Sequence, residues 1–577
     1  MGMIKSFSVL PLILLLSLAL RMGGITHGLP AVYEFDEINT VMIALQYGTG
    51  KLAPPQFLHG SLTSYLLFAA FVGQYLLYHL FGVWKSSNDV VRQFIENPTC
   101  FYVLGRALIA GLGTLIVWAS YQAGSRLYNR MTGLLASAIV GASVLQVNMS
   151  HLIKEDIVAS AVLSVTFLAV TSILMRSERG ISSSLKGYFM TGLGIGLAIS
   201  AKYYSAVALV WVLLLIAAER NLFKAAIRLT GAIAGVVVGF GIGSPYAIIR
   251  WGTLMRNMTE LRSAYGMTIP NVGSTSSLFL YFCRYLPYAV GLPVVIAAVA
   301  GLFIGLRGTW RWRTFLVASF PIAFMGLLLK IGAAFPHFLV PVVPFLAILA
   351  ALSVQAFKGS AKPLAYALGV VLVVPTLLLS VRYDRYAMAP DTRAMAKAWI
   401  ETHVPANERI AVEGAVQELI TFGPPLEANQ ETLAAELATI KQRGGNGRLW
   451  QARLERAEAS QHPRFSLCKA MEFTSAAVER CKAPVCVVVT DTSDRGWFVL
   501  SQQRREFLNG LERRYELVKQ FDPSPGIRYF PSQWTLRDEF PRLRLVKIFS
   551  NPVPLVTGPR IRIFRQREPS AAADPVA

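Results

Sequence analysis

Long runs of apolar residues recur from the start of the chain to about residue 381, and none follows. A run of about 18 apolar residues or more is long enough to cross a bilayer as a helix. The pattern therefore predicts a polytopic α-helical membrane protein with about 11 transmembrane helices. We place these helices at 7–20, 102–122, 131–148, 157–175, 188–201, 203–218, 226–244, 278–305, 314–330, 338–356 and 364–381.

Two apolar segments need separate interpretation. Residues 7–20 follow Lys5 as the apolar part of a secretory signal would, but no cleavage site of small residues follows them, so we predict a permanent anchor. The segment 61–84 is long enough to cross, yet polar and aromatic residues such as Tyr75 and His79 are typical of a helix that lies along the interface. We predict that it does not cross.

The distribution of basic residues supports that prediction. If 61–84 lies at the interface, 14 Lys and Arg residues and only two acids, Glu178 and Glu219, fall in the loops of one side. Short basic loops mark the cytoplasmic face, and the rule would be broken if 61–84 crossed. We therefore predict a cytoplasmic N-terminus and an extracytoplasmic tail. The bases are Lys5, Arg126, Arg130, Arg176, Arg179, Lys186, Arg220, Lys224, Arg228, Arg307, Arg311, Arg313, Lys358 and Lys362.

Net charge is +22 and the sequence pI is about 9.9, values that in a soluble protein would suggest nucleic acid as a partner. Residues 1–381, however, carry 26 basic and 10 acidic residues, an excess of +16 that lies largely in short loops between apolar runs. Membrane topology explains this charge. We predict membrane lipids as partners and no nucleic acid.

The remaining residues have a different composition, with 29 basic and 23 acidic residues and no long apolar run. We predict two domains: a membrane domain, 1–381, whose outer loop 25–101 contains the interfacial helix 61–84, and a soluble α/β domain, 382–577. The predicted elements are an amphipathic helix at 391–403 with Ala394, Met395, Ala398 and Trp399 on one face, strands at 409–414, 485–491, 545–549 and 560–564, a helix at 499–518, and a polar, partly helical segment at 428–465.

Three of the five cysteines lie in this tail, so an oxidising compartment permits at most one disulfide among Cys468, Cys481 and Cys486. No cysteine spacing typical of a metal site is present, and we predict no metal-ligand set from the cysteines.

Asp36 and Glu37 directly follow the first apolar run, beside a bilayer where uncompensated carboxylates are costly. A carboxylate pair at the outer surface can act as general base on an acceptor hydroxyl, or hold a divalent cation that orients a phosphate. The alternative is an ordinary acidic surface loop.

A second acidic cluster, with His151, Glu155 and Asp156, falls on the same predicted side and could close a site from a second loop. Its acids could instead cap the following helix. Lys202 interrupts an apolar stretch, where it would suit a lipid phosphate or simply reach the interface. Weaker phosphate-binding candidates, because basic residues are common at helix ends, are Arg106, Arg284, Lys330 and His337.

In combination these motifs resemble bacterial GT-C glycosyltransferases, and more closely the dolichyl-phosphate-mannose protein mannosyltransferases and their relatives, which include the lipid A aminoarabinose transferase. The resemblance covers most of residues 1–415. It rests on FDE at 35–37, G-x-L-x-P at 50–54, LFG at 80–82, Arg106, SHLIKED at 150–156, GLAISAKY at 196–203, HFLVPVVPFLAIL at 337–349 and DTRAMAKAWI at 391–400.

The resemblance implies an inverting transfer of a sugar from a polyprenyl-phosphate carrier to a protein, lipid or glycan acceptor outside the cytoplasmic membrane. It implies that Asp36 activates or orients the acceptor, with Glu37 beside it, that Asp156 is the second-loop acid, and that Lys202 lies near the carrier phosphate. His337 stands where relatives often have Arg before Tyr. Glu155 and Tyr203, next to these positions, complete the predicted substrate-binding set.

Two other classes remain. A transporter or flippase of lipid-linked sugars would also use cations within the membrane and acids at its surface, although no repeated halves are visible in the sequence. A catalytically inactive membrane scaffold would retain the fold while losing its acids, whereas FDE is intact.

Overall fold

The computed structural model describes residues 9–182, 184–266, 277–331, 335–357, 359–417, 420–421, 423–442, 448–459, 464–470, 473–489, 502–524 and 555–567. Two compact units divide the chain. The first, here the membrane unit, contains the described residues up to Ile25, Asn39–Gln74 and Phe101–Arg385. The second, here the tail unit, contains Thr26–Ile38, Tyr75–Cys100 and the described residues from Tyr386 onward.

Helices dominate the chain as far as the tail. They are α1 Val9–Met22, α2 Phe35–Tyr47, α3 Leu62–Leu80, α4 Ser87–Glu96, α5 Thr99–Leu127, α6 Arg130–Ala142, α7 Val144–Ser150, α8 Glu155–Glu178, α9 Leu185–Ala201, α10 Leu209–Ala217, α11 Leu222–Gly243, α12 Pro245–Ile249, α13 Trp251–Gly266, α14 Ser277–Phe279, α15 Leu286–Val290, α16 Leu292–Arg307, α17 Arg311–Leu328, α18 Val343–Ser353 and α19 Lys362–Ala387. Shorter 3-10 turns lie at Tyr203–Ala208, Pro336–Leu339, Val354–Ala356 and Gly359–Ala361, and Leu280–Tyr285 is π-helical.

Four described helices, α5, α8, α11 and α19, are long and apolar enough to cross a membrane, and two bent helix pairs raise the number to six. The protein is a multi-pass membrane protein. The count of about 11 spans remains a prediction, because several predicted spans are shorter helices of 10–17 residues. Whether α3, which lies within the predicted interfacial segment, crosses the membrane also remains a prediction.

The predicted spans 131–148 and 278–305 are not continuous helices. The first bends by 57° between α6 and α7, where Ser143 has an extended backbone and its hydroxyl donates to Ala289 O at 2.7 Å. The second bends by 105° at Gly291, whose φ of 86° only glycine adopts readily. Apolar composition alone did not reveal these local breaks.

Helices α9 and α11 pack with their backbones in close approach. A Cβ added to Gly192 would lie 2.0 Å from Ala232 O, and one added to Gly235 would lie 2.2 Å from Phe189 O. Small residues allow such packing in membrane proteins, where association depends on close van der Waals contact. This interface fixes the end of α9, from which Lys202 extends.

In the tail unit, five described strands form one mixed sheet in the order β4-β1-β5-β7-β6. Strand β1 is parallel to β4 and β5, whereas β7 is antiparallel to β5 and β6; β2 and β3 form a separate antiparallel pair. The strands are β1 Arg409–Glu413, β2 Ala415–Gln417, β3 Ile420–Thr421, β4 Ser466–Ala470, β5 Val485–Val489, β6 Tyr515–Phe521 and β7 Ile561–Gln566. The helices are α20 Thr392–His403, α21 Gln430–Gln442, α22 Arg448–Ala459, α23 Ser475–Cys481 and α24 Gln502–Arg514.

Both faces of this sheet carry buried apolar clusters. One cluster joins the sheet to α20 through Ala396 and Ile400, and the other joins it to α23 and α24 through Val478 and Phe507. Strand β5 is buried along its whole length, which explains its unbroken apolar sequence. A disulfide links Cys468 to Cys481, within the predicted limit of one, and Cys486 is a buried free thiol.

Two predictions for the tail were wrong. The buried face of α20 carries Thr392, Arg393, Ala396 and Ile400, whereas the predicted face, Ala394, Met395, Ala398 and Trp399, is exposed or half-buried. Both stripes have helical spacing, and a buried arginine is not expected from hydropathy. The predicted helix 499–518 ends at Arg514, and Tyr515–Phe521 is a strand paired with β7. The predicted strand 545–549 lies outside the described residues.

Candidate active site

The first turn of α8 carries two buried carboxylates. Asp156 is fully buried and Glu155 is 6% exposed. Lys154 occupies the N-cap position of this helix, so neither acid is the capping residue. Acidic side chains in a first turn interact favourably with the helix dipole, but that interaction does not require burial. The contacts of Asp156 supply the reason for its position.

Asp156 is bound by two side chains that follow α9. Lys202 Nζ donates to Asp156 Oδ2 at 3.2 Å, and the Tyr204 hydroxyl donates to Asp156 Oδ1 at 2.7 Å. Lys202 Nζ also lies 3.8 Å from Glu155 Oε2. Lys202 is only 6% exposed, so in this structure it does not extend freely towards an interface. We call Glu155, Asp156, Lys202 and Tyr204 the α8 cluster.

Aromatic and basic groups surround the α8 cluster. The Tyr204 ring makes edge contacts with Phe324, at a centroid distance of 5.0 Å, and with Phe338, at 6.0 Å. Besides Lys202, the basic side chains of His337 and Lys154 lie within electrostatic range of the Asp156 carboxylate. The cluster thus combines two carboxylates with several basic groups in a largely apolar wall, and only the basic groups have the charge to attract a phosphate.

The structure brings Glu155, Asp156 and Lys202 together and places His337 where it acts on Asp156. Tyr204 was missed by the sequence analysis, which selected the adjacent Tyr203. The Tyr203 hydroxyl instead donates to backbone oxygens, 3.0 Å from Phe57 O and 3.3 Å from His59 O. Two neighbouring tyrosines carry the same chemistry, and nothing in the sequence distinguishes which one turns towards Asp156.

Other predicted residues lie elsewhere in the membrane unit. Arg106 is buried, and its Nη1 donates to Ile25 O at 2.7 Å. His151 is also buried, with Nδ1 2.8 Å from Val147 O and Nε2 2.5 Å from Gly23 O. Arg284 and Lys330 are exposed.

The acidic residues after the first apolar run belong to the tail unit. Asp36 and Glu37 form the first turn of α2, and Glu34 immediately precedes this helix. Glu37 is fully buried and Glu34 is 8% exposed, whereas Asp36 is partly exposed. Asp36 is therefore the carboxylate of this loop with the most access to a substrate.

Within the described residues, no group of three His, Cys, Asp or Glu side chains is arranged to hold a metal ion. Both oxygens of Asp156 already accept hydrogen bonds. In the acidic loop, the carboxylates of Asp36 and Glu37 are the oxygen ligands that could bind a divalent cation.

Comparison with known proteins finds a family model that matches part of the chain. Residues 58–248 match the family model described as dolichyl-phosphate-mannose-protein mannosyltransferase, which confirms the predicted resemblance for this segment. The matched segment contains the α8 cluster. No curated protein sequence matches the chain significantly.

Solved structures to which this chain is similar include ArnT from Cupriavidus metallidurans bound to undecaprenyl phosphate, with a TM-score of 0.46, 14% identity and coverage of 78% of this chain and 74% of that one. They include the archaeal oligosaccharyltransferase AglB from Archaeoglobus fulgidus in complex with an inhibitory peptide and a dolichol-phosphate. Its TM-score is 0.49 and its identity is 11%, and the match covers 98% of this chain and 89% of that one. The S. cerevisiae protein O-mannosyltransferase Pmt1-Pmt2 complex bound to the sugar donor is also similar. Its TM-score is 0.31 and its identity is 20%, and the match covers 42% of this chain and 34% of that one.

Proposed function

We propose, from the mannosyltransferase family resemblance of residues 58–248, that this protein is a glycosyltransferase that moves a sugar from a polyprenyl-phosphate carrier to an acceptor, with inversion at the anomeric carbon. The reaction takes place at the extracytoplasmic side of the cytoplasmic membrane, with the N-terminus cytoplasmic and the tail outside. The distribution of basic loops supports this topology.

The burial of the α8 cluster is the observation that carries the proposal. Ionisable residues within membrane segments are costly and mark functional sites by default. Asp156 is fully buried and bound to both Lys202 and Tyr204, inside the segment that matches the family model. An ion pair without a function would be less costly as packed apolar residues.

In the proposed reaction, the acceptor hydroxyl oxygen attacks the anomeric carbon of the sugar. The bond from this carbon to the phosphate oxygen breaks, and the electron pair leaves with the carrier phosphate. Asp36 accepts the proton of the hydroxyl, with Glu37 beside it in the same helical turn. A positioned base of this kind typically contributes ~10²–10⁴-fold in rate.

Lys202 stabilises the negative charge that develops on the departing phosphate, which is greater in the transition state than in the ground state. Asp156 holds the ammonium group in place, and Tyr204 fixes the other oxygen of Asp156. His337 is the second basic group of this phosphate site. We assign Arg106, Arg284 and Lys330 to binding of the carrier at other positions, with Glu155 lining the site beside Lys202.

The test is release of polyprenyl phosphate from native carrier-linked sugars in reconstituted membranes, with wild type compared with Asp36→Asn at matched expression. We expect Asp36→Asn to lose ~10²–10⁴-fold in release while carrier binding is largely retained. Asp89→Asn is the matched control, because Asp89 caps α4 in the same unit and has no assigned role in the chemistry.

Equal release by wild type and Asp36→Asn would remove Asp36 from the role of base. If wild type releases no carrier phosphate while it binds the carrier, transport of the lipid-linked sugar or a scaffolding role replaces glycosyl transfer. The labelled product of an active sample identifies whether the acceptor is a protein, a lipid or a glycan.

A further inference from the structure

Arg393, on the inward face of α20, is a fully buried arginine. Its guanidinium carbon lies 3.3 Å from the centroid of the Tyr33 ring, and Tyr33 is only 5% exposed. This is the distance of a stacked contact, which Arg makes better than Lys because the guanidinium is planar and weakly hydrated. The first residues of the tail therefore touch the loop that precedes the acidic residues.

Asp391 holds Arg393 in that orientation. Arg393 Nε donates to Asp391 Oδ1 at 2.8 Å and Nη2 donates to Oδ2 at 2.6 Å, which is a bidentate pair. Asp391 Oδ1 also accepts from the backbone N–H of Arg393 at 2.8 Å and caps α20. Bidentate pairing and the cap together leave the guanidinium little rotational freedom.

The N-terminus of α20 is in turn tied to the sheet. Thr392 N donates to Thr557 O at 2.8 Å, Thr557 N donates to Pro390 O at 2.8 Å, and the Thr392 hydroxyl donates to Pro559 O at 2.6 Å. Residue 559 lies two positions before β7, which pairs with β5 and β6. The contact to Tyr33 is thus supported by the core of the tail unit.

On the other side of the contact, Tyr33 lies two residues before the start of α2. The backbone N–H of Ile38 donates to Glu34 O at 3.3 Å, which begins the helix whose first turn contains Asp36. Val32 has a positive φ of 50°, a conformation that is rare for a β-branched residue and persists where the surroundings impose it. The backbone that leads into α2 is therefore held in one specific path.

We propose that Arg393 is a positioning residue for the reaction: by stacking on Tyr33 it fixes the first turn of α2 and directs the Asp36 carboxylate towards the acceptor. This inference rests on the proposed role of Asp36 as base. It gives the tail a function in catalysis, that of holding the acidic loop.

The electrostatics agree with a rigid contact. Burial alone would raise the pKa of Asp391, but the charge and hydrogen bonds of Arg393 outweigh it and hold that pKa below its ordinary value. Burial raises the pKa of Tyr33 above its ordinary value. Asp391 is therefore charged and Tyr33 neutral at physiological pH, as a stacked, ion-paired guanidinium requires.

The experiment compares Arg393→Leu with Arg393→Lys and with Arg464→Leu in the full-length protein. Arg464 is the matched control, because it is another buried arginine of the tail unit, paired with Glu427. We expect Arg393→Leu to lower kcat for carrier-phosphate release about 10²-fold with little change in KM for the carrier, as expected for a misdirected catalytic group. Arg393→Lys keeps the charge but not the planar stack, so it should recover only part of the rate.

A double mutant separates positioning from general stability. In an Asp36→Asn background, Arg393→Leu should cause no further loss of kcat, because a residue that acts through Asp36 has nothing left to position. Losses that multiply in the double mutant, or a loss of kcat for Arg464→Leu equal to that for Arg393→Leu, would overturn the proposal.

Hydrogen exchange gives a readout that does not depend on activity. We expect Arg393→Leu to speed amide exchange in residues 32–38 more than in β1 (Arg409–Glu413), whereas Arg464→Leu should not. If amide exchange of residues 32–38 is unchanged in folded Arg393→Leu, the proposal that Arg393 holds this segment is refuted. If this exchange increases while wild type shows no carrier-phosphate release, Arg393 does hold the segment and the proposed function fails.

Discussion

Among the described residues, each unit of the molecule contains a buried ion pair, and the two cations are held differently. In the membrane unit, Lys202 makes a single hydrogen bond of 3.2 Å to Asp156, and Glu155 lies 3.8 Å away. In the tail unit, Arg393 makes two hydrogen bonds to Asp391, of 2.8 and 2.6 Å, besides a backbone contact. Lys202 thus lies between two carboxylates, whereas Arg393 is fixed on one carboxylate.

A tyrosine completes both pairs, and it uses opposite parts of its side chain. Tyr204 contributes its hydroxyl, which donates to the carboxylate of Asp156 at 2.7 Å. Tyr33 contributes the face of its ring, which lies against the guanidinium of Arg393. The hydroxyl of Tyr204 fixes one oxygen of Asp156, whereas the stacked ring of Tyr33 ties the backbone before α2 to Arg393.

This difference follows the chemistry of the two cations. Lysine is a point charge with three rotatable donors, which can bind a phosphate as it approaches and departs, whereas arginine is a fixed fork that gives geometric precision. The membrane unit thus places lysine where charge changes during the proposed reaction. The tail unit places arginine where a loop must be held.

Loss of the lysine should give the largest effect. Lys202→Met leaves Asp156 buried without its cation, so we expect a loss of about 3–5 kcal/mol in stability and of about 10²–10³-fold in carrier-phosphate release. Thermal unfolding in detergent and the release assay measure the two effects.

A paired substitution then separates folding from chemistry at this site. Lys202→Met combined with Asp156→Leu should recover much of the stability, because an apolar pair replaces the ion pair, but none of the release. Recovery of release in the double mutant would show that the α8 cluster is only structural.

The sequence predicted the parts of this comparison that depend on apolar runs and on charge. Asp156 and Lys202 were predicted to lie on one side from the parity of the basic loops, and the structure brings them into contact. Strands β1 and β5 lie within predicted strands and β7 overlaps a predicted strand, because short runs of β-branched residues favour strands.

Side-chain direction was not predictable in the same way. Arg393 lies on the buried face of α20, which hydropathy does not predict, because hydropathy assigns a charged residue to water and takes no account of its pairing with Asp391. The contact of Tyr204, rather than Tyr203, with Asp156 has a related cause, since the 3-10 turn that follows Lys202 decides which hydroxyl faces Asp156. Both depend on long-range contacts.

Acidification should weaken the ion pair between Asp391 and Arg393, with an effect on stability smaller than that of Lys202→Met. The folded pKa of Asp391 is lower than its unfolded value of about 3.9, so ionised Asp391 stabilises the tail above that value. The contribution is lost as the pH falls from about 5 through the folded pKa. We expect Asp391→Asn to cost about 3 kcal/mol at pH 7.

Hydrogen exchange of α20 in the full-length protein, measured from pH 7 to pH 3, checks this expectation. The difference in unfolding free energy between wild type and Asp391→Asn should narrow as the pH falls below about 5. A difference that is constant with pH would mean that the charge of Asp391 does not support Arg393.

The smallest change distinguishes the two tyrosines most directly, because Tyr→Phe removes a hydroxyl and keeps the ring. Tyr204→Phe removes a hydrogen bond to a buried carboxylate, worth about 1.5–3 kcal/mol, and should lower release roughly tenfold. Tyr33→Phe retains the face on which Arg393 stacks, so release and exchange of residues 32–38 should remain close to wild type. The same assays applied to both variants check this ranking. If Tyr33→Phe proved the more harmful, the hydroxyl would be the functional part of Tyr33, and stacking would not explain the burial of Arg393.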